Sequence, residues 1–416
     1  KIINMTTKEL LLNDVTKWRF WGRWKMSIFC NCPYNYFVHD KIYAEFNLPK
    51  EYTGTVLNTD GYVYALESDH TAFNLFINEK FNEDLSWFNN FFSVCQKIHN
   101  RANTTSSNLN IIDCMKSFNE IACSTMIIHF IDKSLEQVVS TLSEKSGINS
   151  SQFMKLLVPS RPTYVMEYKE ELYNLKDDKH DEFIKKYGWL AASFLDGERL
   201  TENDLKKELN GLKQSVETVL SDTELMNSFD PKLKEQVGIL QNLIYFRSAN
   251  AEVANKVVNA HWDEIDKLSN KFNLTRKDFN LLTPNEIISL ASGESLPSDF
   301  SNRSDKYGIY CIDGDFKIFF EKELDDALKI FEQKVVENVT EVKGSIAFKG
   351  KVRGIARIID NVGDLPKVKD GDIIIASETM PDYIIGMKKA AGFVTNTGGI
   401  TSHAAIVAKK KKKPCI

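Results

Sequence analysis

The chain has 416 residues, with 53 Lys+Arg against 57 Asp+Glu for a formal charge of −4, and 43% of its residues are hydrophobic. These are the values of a globular protein of two or three domains, and they exclude collagen-like, low-complexity and wholly disordered chains. No apolar run approaches the ~18–20 residues of a membrane-spanning helix, and the net acidity argues against a dedicated nucleic-acid binder.

Charge is uneven along the chain. Residues 341–416 hold 14 Lys+Arg and 7 Asp+Glu, a net of +7, which leaves −11 for residues 1–340. Such an asymmetry marks separate domains. The chain begins at Lys1 without an apolar leader block and stops at Cys415-Ile416, which points to a fragment. The seven cysteines are irregularly spaced and contain no Cys-x-x-Cys pair. They read as reduced thiols of a cytoplasmic protein, with no metal site.

Residues 1–340 read as a large, mainly helical domain with small β-hairpins. The run Trp18-Arg19-Phe20-Trp21-Gly22-Arg23-Trp24-Lys25 mixes aromatic and basic side chains. It reads as tryptophans packed on a helix with the basic groups in water. Thr55–Leu57 and Tyr62–Tyr64 flank Asn58-Thr59-Asp60-Gly61 and predict a hairpin near 54–66. His129 and His261 sit in apolar helical surroundings and read as core or boundary residues. Leu205, Leu209, Leu212, Val216 and Val219 recur at helical spacing, as do Leu233, Val237, Leu240 and Ile244, and then Val253, Val257, Ile265 and Leu268. Thr283-Pro284-Asn285-Glu286 has the form of a capping box with proline at the first helical position. Asp313-Gly314 between two apolar runs predicts a second hairpin near 307–320.

Residues 341–416 change character. Ser345–Ile359 is strand-like with glycines at 350 and 354, and Asp372–Ala376 suits a buried strand. Pro381–Ala391 fits a helix, Phe393–Thr395 a strand, and Ser402–Lys413 a helix. This alternation predicts a small β/α domain with parallel pairing.

The chemistry is concentrated in Thr395-Asn396-Thr397-Gly398-Gly399-Ile400-Thr401-Ser402-His403-Ala404-Ala405. A strand runs into a double glycine and then into a helix whose first turn holds His403. A helix N-terminus has free N–H groups and partial positive charge, so it attracts anions and keeps an imidazole neutral. A neutral His403 is a nucleophile for a phosphoryl group. Gly398 and Gly399 let the backbone approach closely. Thr401 and Ser402 offer hydroxyls to phosphate oxygens, and Ala404 and Ala405 leave the approach uncluttered. Taken alone, the pattern also fits an ordinary polar residue near a helix start.

Gly399-Ile400-Thr401-Ser402-His403-Ala404-Ala405-Ile406-Val407-Ala408 resembles the phosphohistidine signature of the swivelling mobile domain of PEP-utilising enzymes, a family that includes phosphoenolpyruvate synthase and rifampicin phosphotransferase. The resemblance continues upstream through Gly350-Lys351-Val352-Arg353-Gly354, Asp370-Gly371-Asp372 and Lys389–Thr395, and downstream through Pro414-Cys415-Ile416. It covers about 75 residues. More weakly, Arg276–Ile287 resembles the helical segment that precedes this domain in the family. The resemblance implies a multidomain α plus α/β architecture, with a helical linker or substrate-binding domain (1–340) and a mobile domain (341–416) incomplete at its C-terminus.

By the same resemblance His403 is the phosphate carrier, with Gly398, Gly399, Thr401 and Ser402 positioning phosphate. ATP and Mg²⁺ are implied on an ATP-grasp-type nucleotide-binding domain or subunit, because residues 1–340 carry no phosphate loop. Phosphoenolpyruvate is the other donor. The implied activity is a dikinase-like phosphotransferase acting on a small-molecule acceptor. A phosphocarrier or regulatory module without its own catalytic pocket, and a binding protein whose His403 is never phosphorylated, are the alternatives. Lys409–Lys413 depart from the family pattern and read as cations complementing a helix C-terminus.

Overall fold

A computed structural model describes residues 18–23, 26–35, 40–48, 56–104, 110–148, 152–153, 156–192, 194–195, 197–211, 223–312, 315–332, 344, 346–359, 362–376, 379, 383–396 and 403–416. The chain divides into two compact units. The first comprises Lys1–Arg19, Lys25–Asp60 and Ala65–Ala327, and the second Phe20–Trp24, Gly61–Tyr64 and Leu328–Ile416. Among the described residues no helix is long and apolar enough to cross a membrane.

The first unit is mainly helical. Its helices are α1 (Ile28–Asn35), α2 (Asp40–Glu45), α3 (Glu67–Glu83), α4 (Ser86–Thr104), α5 (Ile111–Lys145), α6 (Tyr164–Tyr173) and α7 (His180–Tyr187). These are followed by α8 (Glu202–Gly211), α9 (Thr223–Asn227), α10 (Pro231–Ala260), α11 (Trp262–Lys271), α12 (Arg276–Phe279) and α13 (Pro284–Ala291). A further helix, α14 (Glu321–Glu332), is divided between the two units after Ala327. The centre is the long pair α5 and α10, with α3, α4, α1 and α13 packed around α5. Asp230 caps α10 by accepting from Leu233 N–H, and Pro231 fills its first position. Of the stripe Leu233, Val237, Leu240 and Ile244, the first three are buried and Ile244 half-buried, while the stripe Val253, Val257, Ile265 and Leu268 is split between α10 and α11 at His261. Only the first part of the stripe beginning at Leu205 forms a described helix, because residues 212–222 lie outside the described residues.

A polar layer crosses this core. His99 Nδ1 and Asn250 Oδ1 are 3.0 Å apart, and Asn250 Nδ2 donates to Ser124 Oγ at 3.1 Å. The three residues join α4, α10 and α5, and each satisfies the others away from water. His261 is buried, with Nδ1 3.1 Å from Val257 O, as expected of a core histidine. His129 is half-buried, and burial, followed by the Arg247 charge, pushes its pKa down to about 3.

Strands form in both stretches read as hairpins, although Asn58 and Thr59, read as turn, belong to the first strand. β2 (Val56–Thr59) and β3 (Tyr62–Leu66) flank Asp60-Gly61, which take φ of 48° and 90°, the left-handed pair of a tight hairpin turn. β4 (Gly308–Ile312) pairs antiparallel with β5 (Asp315–Phe319). The structure adds what local reading does not reach: β2 pairs with β4, from Val56↔Cys311 to Thr59↔Gly308. Gly308 lies opposite Phe319, where a Cβ would meet ring atoms at 2.2 Å. The run Trp18–Arg23 corrects the sequence reading, since it is strand β1 and not a helix. Trp and Phe fit a pleated, half-buried surface, and six residues are too few for periodicity to separate strand from helix.

The second unit contains a parallel sheet of β6 (Ala356–Ile359), β7 (Ile373–Ala376) and β8 (Gly392–Thr395), in that order. Its registers run Ala356↔Ile373 and Ile373↔Gly392. A 3-10 turn at Val362–Lys367, α15 (Ile384–Lys389) and α16 (His403–Lys411) provide the helical segments. Ile359, Ile374, Phe393, Met387, Ala404, Val407 and Ala408 form the core between sheet and helices. Cys415 bridges Phe393 in parallel and Phe348 in antiparallel fashion, so Pro414–Ile416 extends the sheet beyond β8 as expected. The strand-like stretch Ser345–Ile359 shrinks to Ala356–Ile359 plus the Phe348 bridge, and the helix expected over Pro381–Ala391 is described only over Ile384–Lys389.

Candidate phosphohistidine site

Parallel strands deliver their carboxyl ends to one edge of a sheet, and in such folds ligands bind at that edge. Here β7 ends at Ala376 and β8 at Thr395, and Asn396 N–H donates to Ala376 O at 3.1 Å. The chain then leads to α16, whose first residue is His403. The first four N–H groups of a helix have no intrahelical partner, so this helix start faces its surroundings with donors and partial positive charge. Gly398, Gly399, Thr401 and Ser402 lie outside the described residues, and His403 is placed here by its backbone alone.

Packing fixes the helix that carries His403. Ala404 and Ala405 are each 1% exposed, and Ala408 is fully buried. These alanines therefore differ from the sequence reading. They let α16 approach the sheet closely, rather than clearing a path for a ligand.

The other end of α16 is also set. Lys412 N–H donates to Lys409 O at 3.3 Å and Lys413 N–H to Ala408 O at 3.0 Å, while Lys412 takes φ of 54°. This is a Schellman C-cap with lysine at the left-handed position that glycine usually occupies. The helix thus ends at Lys411, short of the predicted Lys413. Lys412→Gly is expected to stabilise the domain by about 1 kcal/mol by relieving that conformation. A rise in the urea midpoint at unchanged slope checks this.

Lys413 then serves a neighbouring helix. Its Nζ donates to Lys388 O at 2.7 Å, to Met387 O at 3.2 Å, and to Ala390 O. One ammonium thus satisfies the last carbonyls of α15 and complements its dipole. Burial, followed by the Lys411 charge, lowers the Lys413 pKa, and Asp370 opposes the shift. Lys409 Nζ is buried without a hydrogen-bond partner among the described residues, and burial lowers its pKa too. The lysine run stands one helix length from His403, about 13 Å for nine residues. Within it, Lys412 ends α16 and Lys413 caps α15.

Asp372 is a structural residue that sequence reading missed. Its Oδ2 accepts from Lys369 N–H at 2.9 Å and Arg357 Nε at 3.0 Å, and its side chain is 5% exposed. The bonds tie β6 to the start of β7 and explain why an acid follows Gly371, the turn glycine at φ 86°. The Lys369 N–H, with Arg357, holds the carboxyl below its usual range. A depressed carboxyl adds stability above its unfolded pKa of about 3.9 and loses it as pH falls through the folded value. Asp372→Asn is therefore expected to melt below the parent at pH 7, with the gap closing below about pH 4. A gap that stays constant across paired melts at pH 7 and pH 3 would contradict this role.

Residues 368–416 match the PEP-utilising enzyme mobile domain. A probable phosphoenolpyruvate synthase of Methanothermobacter thermautotrophicus is 41% identical over 75 residues, 18% of this chain and 11% of that protein. Phosphoenolpyruvate synthase of Pyrococcus furiosus is 38% identical over 96 residues, 23% of this chain and 11% of that protein. The probable phosphoenolpyruvate synthase of Pyrococcus abyssi is 31% identical over 141 residues, 33% of this chain and 17% of that protein. The chain spans only 11–17% of the length of these relatives. The likeness is to the mobile domain: residues 368–416 are similar to that domain of the PEP-utilising enzymes.

Proposed function

We propose that this chain is a phosphotransferase component that carries a phosphoryl group on His403. The observation that supports it most is the mobile-domain match over residues 368–416, with His403 opening a helix beyond the carboxyl edge of a parallel sheet. In the first step a neutral imidazole nitrogen attacks a phosphoryl group of ATP, or of phosphoenolpyruvate. A nitrogen–phosphorus bond forms as the phosphorus–oxygen bond to the leaving group breaks. The helix N-terminus, the Gly398-Gly399 backbone and the Thr401 and Ser402 hydroxyls receive the phosphohistidine dianion. In the second step an acceptor oxygen takes the phosphoryl group and the imidazole leaves neutral. Positioning and charge stabilisation supply the catalysis.

The nucleotide and its Mg²⁺ belong to an ATP-grasp-type domain or subunit, and the acceptor is a small molecule. The setting is the cytoplasm. Tethering the carrier between two sites makes the second transfer effectively intramolecular. The test is to incubate the chain with an ATP-grasp-type donor and radiolabelled ATP, and separately with labelled phosphoenolpyruvate. An acid-labile, base-stable label on the peptide containing His403 is expected from one donor. No such label from either would overturn the reading.

A further inference from the structure

His99, in the helical unit, is a buried titratable group with no part in the proposed phosphoryl transfer. It sits on α4 and is 6% exposed. Its hydrogen bonding is directional. Ser124 Oγ on α5 donates to Ile121 O at 2.9 Å, so its lone pair takes the 3.1 Å bond from Asn250 Nδ2. Asn250 Oδ1 on α10 is then left to accept from His99 Nδ1–H at 3.0 Å. These directions assign the neutral tautomer, with a proton on Nδ1 and a lone pair on Nε2. In this form the imidazole ties α4 to α10 and, through Asn250, to α5.

The charges around the imidazole are cationic. Arg161 lies over Tyr245 and Phe246, its guanidinium carbon 4.0 and 5.3 Å from their ring centroids. The same two rings lie 6.2 and 6.3 Å from the imidazole centroid. Lys256 on α10 reaches α4 one turn beyond His99, where its Nζ donates to Asn103 Oδ1 at 2.7 Å. Neutral groups hold both cations: Gln96 Oε1 and the two rings for Arg161, Asn103 and Tyr164 OH for Lys256. Glu252 on α10 is engaged elsewhere, accepting from Tyr164 N–H at 2.7 Å. Among the described residues no carboxylate pairs with His99, Arg161 or Lys256. A proton added at Nε2 would therefore place a third positive charge in a dry site without an anion to offset it. Burial lowers the His99 pKa; the Asn250 bond opposes the shift, and the Arg161 and Lys256 charges add to it.

We propose that His99 is an acid-sensitive latch of the helical unit: neutral, it holds α4 against α10 and α5, and protonation at Nε2 releases α4. The latch works the same whether or not His403 carries phosphate. An imidazole whose folded pKa lies below its unfolded value of about 6.5 contributes stability that is fully present above that value. The contribution is lost as pH falls from there toward the folded value, because the opened state takes up the proton.

The test is hydrogen–deuterium exchange of the full chain at pH 7.5, 6.5 and 5.5, read as protection factors so that the intrinsic pH dependence of exchange cancels. Protection of the α4 amides is expected to fall three- to tenfold in the parent between pH 6.5 and 5.5, since one proton taken up on opening changes the opening constant by up to about tenfold per pH unit. His99→Asn keeps an amide N–H where Nδ1 stands and cannot titrate. It is expected to start from lower protection at pH 7.5, because the smaller side chain leaves a cavity, and to lose less than half as much on acidification. His129 is shifted in the same sense and is unchanged in the variant, so the comparison isolates His99. Arg161→Gln alters an exposed side chain, and by removing one cation it is expected to lessen the acid loss. A His99→Asn chain that loses α4 protection as steeply as the parent overturns the latch, and so does an undiminished loss in Arg161→Gln. If His99→Asn does not fold, the His99 Cε1–H resonance of the folded parent, assigned by its contacts to the Tyr245 ring, decides: titration below pH 6 supports the latch, and titration at or above pH 6 overturns it.

Discussion

His403→Ala is expected to abolish acid-labile phosphorylation of the chain while leaving its unfolding transition in place. The loss should be complete and not partial, because the proposed step makes a covalent bond to the imidazole itself. Retained folding follows from position. His403 is the first residue of α16, and the contacts that hold the helix belong to Ala404, Val407 and Ala408. Alanine is a strong helix former, so the change in stability should stay within about 0.5 kcal/mol. His403→Asn keeps a polar side chain at the same place without a nucleophilic nitrogen, and it should be equally inactive. The measurement is label retention on the His403 peptide after donor treatment, paired with a thermal melt. A label that persists in His403→Ala would move the carrier role to another residue. Loss of the label together with loss of the melt would speak only to folding.

How much of this was legible beforehand depends on the range of each interaction. The Thr283 capping box was readable because both of its bonds join residues three apart: Thr283 N–H to Glu286 Oε2 and Glu286 N–H to Thr283 Oγ1. The turn read at Asn58–Gly61 narrows to Asp60-Gly61, legible from the glycine that takes positive φ. The helix expected over Ser402–Lys413 is described over His403–Lys411, while Gly398, Gly399, Thr401 and Ser402 lie outside the described residues. What was not readable is of two kinds. Lys412 carries no local sign of its left-handed conformation, since lysine rarely takes it. Arg357–Asp372 and the Lys413 clamp join residues brought together by folding. The β6 strand shows a related limit. Ile358 is 66% exposed and Ile359 1%, yet both are isoleucine, so no alternation in the sequence separates the two faces.

Arg303→Met is expected to be among the most damaging single changes in the helical unit, at about 3 kcal/mol. The Arg303 side chain is 3% exposed. Its two terminal nitrogens fork onto Glu286, at 2.7 and 2.6 Å. It also bonds Asp299 at 3.0 and 3.2 Å and donates to Leu281 O at 2.9 Å. Glu286 is the carboxylate that closes the α13 capping box, so Arg303 holds the start of that helix to the segment leading into β4. Methionine keeps the apolar stem but leaves Glu286 half-buried without its cation, and a helix cap contributes about 1 kcal/mol by itself. Arg303→Lys should recover less than half of the loss, because one ammonium cannot reproduce a planar fork spanning two carboxylates. Denaturant midpoints of the three proteins at pH 7 order the effects. If lysine fully replaces arginine, the charge alone stabilises the junction and the fork geometry contributes nothing. If methionine costs under about 1 kcal/mol, the pair behaves as an exposed surface bridge despite its burial.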